Sequence, residues 1–231
     1  MSFSIHDREM MARALVMAAK GRFTTAPNPA VGCVISLDEN IVGEGYTKPV
    51  GGNHAEIEAL KMVSDPTGCS VYVTLEPCSH QGRTPPCVGA LIEAGVARVV
   101  IACEDPNPEV CGQGIQLLKD AGIEVDCGLL EDQARALNQG FIKRHEHGLP
   151  WVLVKMAASI DGRTAMASGQ SQWVTTPASR HDVQKLRAKS CAIITGIGTQ
   201  LMDDPSLTVR ITSEQLGVED ELQQPLRVVV D

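Results

Sequence analysis

Three residues in this chain have side chains suited to holding a metal ion: His54, Cys78 and Cys87, in the strings His54-Ala55-Glu56, Pro77-Cys78 and Pro86-Cys87. One imidazole and two thiolates make a soft-to-borderline donor set that suits Zn²⁺ and leaves a fourth tetrahedral position open. An open position is a place for chemistry, because zinc lowers the pKa of water from about 15.7 towards roughly 7 and supplies hydroxide at neutral pH. Two thiolate donors weaken that effect, and a carboxylate that takes up protons and returns them compensates. Glu56, just after His54 at the start of an expected helix, is the candidate for that work.

The alternative is a structural zinc site in which His80 completes a closed shell with the same three donors. Structural sites usually pair their ligands at short spacing, whereas His54 and Cys78 lie on different elements, and a closed site gives Glu56 no task. Cys78 follows an expected strand, and Cys87 falls in the first turn of a helix opened by Thr84 and Pro85, where the helix dipole favours a thiolate. Cys33, Cys69, Cys103, Cys111, Cys127 and Cys191 mostly lie in or beside apolar runs and read as small buried side chains.

The elements that must position these residues follow from periodicity and turn chemistry. Apolar residues at helical spacing give a helix over 4–20, stopped at Gly21. Strand-like runs over 30–37 and 41–44, separated by Asp38-Glu39-Asn40, read as a hairpin. A helix over 54–63 follows. Strands over 70–75, 98–102 and 123–127 then alternate with helices over 85–94, 114–121 and 130–144, the rhythm of a mainly parallel sheet covered by helices. The polar stretch 145–150 ends in Pro150, placing a domain boundary near residue 147, with domains over 1–147 and 148–231. The second part reads as a strand over 151–156, a turn at Asp161-Gly162, a helix over 177–189 and strands over 191–195 and 226–231. That is thin for an α/β unit, so the second domain is expected to be incomplete.

With 231 residues, 43% hydrophobic and 21% charged, the chain is expected to fold as two globular units. The first twenty residues lack the apolar core of a signal peptide, and no apolar stretch is long enough to span a membrane. A cytoplasmic protein with reduced thiols is the expectation, so the eight cysteines point to metal binding or burial rather than disulfides. A net charge of −8 and an aromatic share of 3% argue against nucleic-acid binding, but leave room for a small anionic ligand.

The HAE and PC motifs resemble those of the cytidine-deaminase-like superfamily, whose general pattern ends in PCxxC. Here the loop is longer, running from Pro77-Cys78-Ser79-His80 to Pro85-Pro86-Cys87. In that it resembles the riboflavin-biosynthesis deaminase branch, whose pattern EPCSHxGxTPPC is matched at every fixed position from Glu76 to Cys87. Asn28-Pro29, Val31-Gly32 and Asp105-Pro106-Asn107-Pro108 match as well. Further on, Ser159-Ile160-Asp161-Gly162-Arg163, Ser171-Gln172-Trp173, Leu186-Arg187 and Asp203-Asp204-Pro205-Ser206-Leu207-Thr208-Val209-Arg210 are similar to the opening half of that family's reductase domain.

The resemblance implies a three-layer α/β/α deaminase domain followed by the N-terminal part of a dihydrofolate-reductase-like α/β domain. It implies zinc-dependent deamination of a phosphoribosylated diaminopyrimidinone, then NADPH-dependent reduction of the ribosyl chain, in a homodimer or tetramer. It also assigns roles: Asn28, Arg83 and Asn107 to the pyrimidine nucleotide, with Arg83 at its phosphate; Ala157, Trp173, Thr199 and Asp203 to the NADP site; Ser171, Arg187, Leu207 and Arg210 to the reductase substrate. A guanidinium suits a phosphate through paired hydrogen bonds. By spacing alone Trp173 reads as core, and Gly196-Ile197-Gly198 follows a strand without the third glycine of a dinucleotide fingerprint. Thr47 stands where the family commonly has histidine, so one substrate contact is missing or replaced. The chain also ends before the family's later glycine-rich NADP segment. Deamination of a free base, nucleoside or RNA base, and a non-catalytic zinc-stabilised module, remain the competing readings.

Overall fold

The computed structural model describes residues 3–80, 85–108 and 110–231. Two compact units are present, Met1–Trp151 and Val152–Asp231.

In the first unit, helix α1 (Ile5–Gly21) opens with a capping box: Ser4 Oγ accepts from Asp7 N at 3.0 Å, and Asp7 Oδ2 accepts from Ser4 N at 2.9 Å. Strands β1 (Gly32–Leu37) and β2 (Asn40–Tyr46) form the expected hairpin around Asp38 and Glu39. Helix α2 (Ala55–Leu60), strand β3 (Ser70–Val73), helix α3 (Cys87–Glu93), strand β4 (Arg98–Ile101), helix α4 (Gln113–Asp120) and strand β5 (Glu124–Cys127) follow, then helices α5 (Glu131–Leu137) and α6 (Gln139–His147).

The sheet order is β2-β1-β3-β4-β5. β1 runs antiparallel to both neighbours, and β3, β4 and β5 run parallel to one another. The sheet is therefore mixed rather than mainly parallel. A tight hairpin forces β1 and β2 antiparallel, while the helical crossovers through α2, α3 and α4 set β3, β4 and β5 parallel to β2, which leaves β1 antiparallel to both its neighbours.

Helices cover both faces, and glycines allow the closest approaches. A Cβ on Gly32 would lie 2.0 Å from Ala14 O of α1; one on Gly45 would lie 2.2 Å from Ala55 O of α2. Gly45 is paired with Cys33, the residue after Gly32, so these two glycines open opposite faces of the sheet. α5 packs beside α1, while α3 packs against α2 and α4, which gives the three layers. The core between them includes fully buried Met11, Val34, Ile35, Val71, Tyr72, Val73, Leu91, Val99, Val100, Ile101 and Leu118.

The single helix expected over 130–144 is two helices, broken at Asn138 (φ −118°, ψ 29°). The reason is tertiary: Asn138 Oδ1 accepts from Ala30 N at 2.8 Å and Asn138 Nδ2 donates to Ala30 O at 2.9 Å. Cys33, Cys69 and Cys103 are buried as expected, but Cys111, Cys127 and Cys191 are exposed. They lie in a turn, at the last residue of edge strand β5, and ahead of a strand in the second unit.

The second unit contains helix α7 (Pro177–Ala188), strand β6 (Ala192–Gly196), helix α8 (Ile197–Asp203), helix α9 (Ser213–Leu216) and strand β7 (Leu226–Val230), with β6 and β7 parallel. The strand expected over 151–156 is absent: those apolar residues are exposed and pair with nothing in a ladder among the described residues. β-Propensity without a partner strand does not make a strand. The short helices α8 and α9 had no expectation. Trp173, read as core by spacing, is 70% exposed, with the Arg180 guanidinium 4.3 Å from its ring centre. No helix among the described residues is long and apolar enough to cross a membrane.

Candidate metal centre and substrate cavity

The site lies at the carboxyl ends of β3 and β4 and the first turns of α2 and α3, where an α/β sheet opens a crevice. His54 is the N-cap residue of α2, and Glu56 sits in that helix's first turn. Cys78 follows β3 through Leu75, Glu76 and Pro77, and Cys87 is the first residue of α3. The chain turns here because Val73 ends the ladder and Pro86 caps α3 as its N-cap, two residues later than Thr84-Pro85 suggests; Thr84 lies outside the described residues.

Among the described residues, His54, Cys78 and Cys87 form the one group of three or more potential metal-binding side chains, their donor atoms all within 4.8 Å of one another. His54 Nδ1 is 3.5 Å from Cys78 Sγ and 3.2 Å from Cys87 Sγ. A tetrahedral zinc with usual bond lengths sets nitrogen and sulfur about 3.6 Å apart. The donors thus stand close to the separations that one zinc ion requires. His80 lines the adjoining cavity but does not join the cluster.

Two sulfurs this close cannot both carry charge at neutral pH without a cation between them. The hydrogen bond from the Cys87 thiol, outweighing burial and aided by His54, pulls Cys78 down to about 4; the same hydrogen bond, with burial, pushes Cys87 well up. The backbone N–H of Cys87 donates to Cys78 Sγ at 3.3 Å, so the N–H at the start of α3 serves Cys78 rather than Cys87's own sulfur. The expectation that the helix start would favour a Cys87 thiolate is corrected on that ground. Glu56 is 3% exposed; burial first, and the charge of Cys78 second, push its carboxyl up to about 7. A carboxyl so placed can hold and release a proton near neutral pH.

A cavity of about 440 Å³ adjoins these residues, a size suited to a small organic ligand. Asn28, Pro29 and Val31 form one wall, Asp105, Asn107 and Val110 another, with Thr47, Leu75 and Phe141 completing it. Asn28 and Asn107 are thus brought to one space with His54, Glu56 and Cys78, while Arg83 lies outside the described residues. Thr47 lines the cavity too, and its Oγ1 accepts from Val31 N at 3.3 Å.

Glu76 is a residue whose part in the site sequence reasoning missed. Its buried carboxylate accepts four backbone N–H groups: Asp105 at 3.2 Å, Gly112 at 3.0 Å, Gly114 at 2.9 Å and Ile115 at 3.2 Å. It thereby ties the loop bearing Asp105 and Asn107 to the segment bearing Cys78. The available signal was an acidic residue placed directly before Pro77-Cys78.

In the second unit, Arg187 Nη1 donates to Thr208 O at 2.9 Å, which brings Arg187 beside Leu207 and Arg210; burial, with Arg210 nearby, lowers its pKa. Leu207 is buried at φ 53°. Thr199 and Asp203 are exposed on α8, and Ala157, Ser171 and Trp173 lie in a stretch without helix or strand.

Residues 4–103 match the family described as the cytidine and deoxycytidylate deaminase zinc-binding region, and residues 150–231 match the RibD C-terminal domain. Riboflavin biosynthesis protein RibD of Escherichia coli (strain K12) is 54% identical over 233 residues, covering 98% of this chain. The chain is similar to RibD proteins over nearly its whole length. It spans 64% of the length of that RibD protein. A RibD structure from Acinetobacter baumannii superposes with a TM-score of 0.90 at 49% identity, covering 97% of this chain and 63% of the other. A Thermotoga maritima diaminohydroxyphosphoribosylaminopyrimidine deaminase/5-amino-6-(5-phosphoribosylamino)uracil reductase superposes with a TM-score of 0.89 at 38% identity, covering 98% and 63%. Zinc is the metal that this donor set fits.

Proposed function

We propose that residues 1–147, within the first unit, form a zinc-dependent deaminase domain acting on the phosphoribosylated diaminopyrimidinone of riboflavin biosynthesis. The observation that carries this is the convergence of His54, Cys78 and Cys87 beside buried Glu56 at a cavity of about 440 Å³. His54 Nδ1, Cys78 Sγ and Cys87 Sγ would hold the metal. Zinc, when bound, supplies a Lewis acid that makes water nucleophilic at neutral pH.

This chain's own residues do the rest. The Glu56 carboxylate takes a proton from the attacking water and delivers it to the departing amine nitrogen, so that ammonia leaves. Asn28 and Asn107 orient the pyrimidine through amide hydrogen bonds, and the Arg83 guanidinium pairs with the phosphate. The apolar side chains of Leu75, Val110 and Phe141 limit water around the ring.

Residues 148–231 are read as part of the NADPH-dependent reductase, with Ala157, Trp173, Thr199 and Asp203 towards the cofactor and Ser171, Arg187, Leu207 and Arg210 towards the substrate. Convergence of Arg187, Leu207 and Arg210 supports the substrate assignment. A soluble cytoplasmic homo-oligomer completes the reading.

The deciding experiment measures ammonia release by the purified, zinc-loaded chain without NADPH, from the phosphoribosylated diaminopyrimidinone and from cytidine in parallel. Release from the phosphoribosylated compound alone is expected. Release from cytidine alone, or from neither with zinc bound, would overturn the assignment.

A further inference from the structure

Two walls of the cavity, far apart in sequence, are joined by one side chain that does not itself line the cavity. Asn138 stands at the break between α5 and α6 and is 7% exposed. Its amide pairs with the backbone of Ala30 in both directions, at 2.8 and 2.9 Å. Ala30 lies between Pro29 and Val31, which line the cavity, and Phe141 lines it from α6, one turn beyond Asn138. Pro29 has no N–H to give, Val31 is held by Thr47 through its N–H and hydroxyl, and Ala30, which precedes β1, has its backbone held by Asn138. Asn138 supplies what a neighbouring strand would: one acceptor and one donor at peptide spacing.

The side-chain alternatives are few. Aspartate keeps the acceptor and loses the donor; leucine has nearly the same volume and neither. Glutamine carries the same amide on a longer stem, which would move the 29–31 wall or α6. Breaking a helix at Asn138 forgoes backbone hydrogen bonding that a continuous helix would have, which the pairing with Ala30 replaces.

We propose that Asn138 is a positioning residue that sets the separation between the Pro29–Val31 wall and Phe141, and so governs substrate binding rather than proton transfer. This rests on the deaminase reading of the same cavity. His54, Cys78, Cys87 and Glu56 are held by α2, α3 and the end of β3, elements that Asn138 does not bond. Disturbing it should therefore act on KM.

The test uses the full chain, wild type, N138L and N138D, with three readouts: zinc per chain, steady-state deamination of the phosphoribosylated diaminopyrimidinone, and hydrogen exchange of the Ala30 amide. N138L is expected to keep its zinc, lose Ala30 protection, and raise KM roughly tenfold with kcat within about threefold of wild type. N138D, with one of the two bonds left, should fall between them and covers the case in which N138L folds poorly. KM within twofold of wild type despite lost Ala30 protection would overturn the proposal, as would a fall in kcat that tracks loss of zinc at constant KM. Absence of turnover in the wild type would overturn the deaminase reading and this role together; turnover with unchanged variants would overturn this role alone.

Discussion

Asp7 and Arg98, one in the first turn of α1 and the other at the start of β4, meet at 2.7 Å. Asp7 Oδ1 also accepts from the Tyr72 hydroxyl at 2.9 Å, and Arg98 reaches on to Asp126 Oδ2 of β5 at 2.6 Å. One carboxylate thus caps α1 and ties it to β3 and β4. Burial by itself would raise the Asp7 pKa, but the hydrogen bonds from Arg98, Ser4 and Tyr72 outweigh it and hold the carboxyl well below the usual carboxylate range.

The sign of the pH dependence follows. A carboxyl depressed in the folded state contributes stability that is fully present above its unfolded pKa of about 3.9 and is lost as pH falls below that towards the folded value. Asp7→Asn should cost about 2–3 kcal/mol at pH 7, somewhat less than a fully buried pair, because Arg98 keeps Asp126 and is partly exposed. Denaturant melts of both proteins between pH 7 and pH 3 check this. A stability gap that does not narrow below pH 4 would contradict the assignment.

Glu56→Gln removes a proton carrier without removing a metal donor. Zinc content should stay at the wild-type level while turnover falls by roughly 10²–10⁴-fold. Metal analysis beside a single-turnover ammonia assay reads both quantities, and equal activity in the variant would discard the proton-transfer role.

Replacing Glu76 with glutamine turns one oxygen into an NH₂ group facing two backbone donors. About 2–4 kcal/mol of stability should be lost. kcat/KM should drop as well, because Asp105 and Asn107 depend on that brace for their placement in the cavity wall. Thermal melts and kinetics on zinc-matched samples test it, and an unchanged melting point would show that the brace is dispensable.

Gly45→Ala puts a methyl group 2.2 Å from Ala55 O, so α2 must shift, carrying His54 and Glu56 with it. Both stability and zinc affinity should decrease. Gly89→Ala in α3 is the control: its Cβ meets nothing within 4 Å, and the change should raise stability by up to about 1 kcal/mol. Competition with a chromophoric chelator measures the zinc affinities of both variants.

The candidate metal-binding cluster was legible in the sequence because it depends on residue type. Imidazole, thiolate and carboxylate have few other reasons to occur as His54-Ala55-Glu56 followed by Pro77-Cys78 and Pro86-Cys87, and the alternating strands and helices around them leave periodic traces in a short window. Tertiary structure alone decided the rest. The Asn138 break is invisible to periodicity because its partner, Ala30, lies 108 residues away. The run at 151–156 has the composition of a strand and forms none, since a strand requires an aligned partner that local propensity does not provide. Glu76 reads as one more acidic residue until folding brings four N–H groups around it. Side-chain type and local period are encoded residue by residue, whereas the partner of a buried polar group is fixed only when distant segments are packed together and its hydrogen bonds must be satisfied.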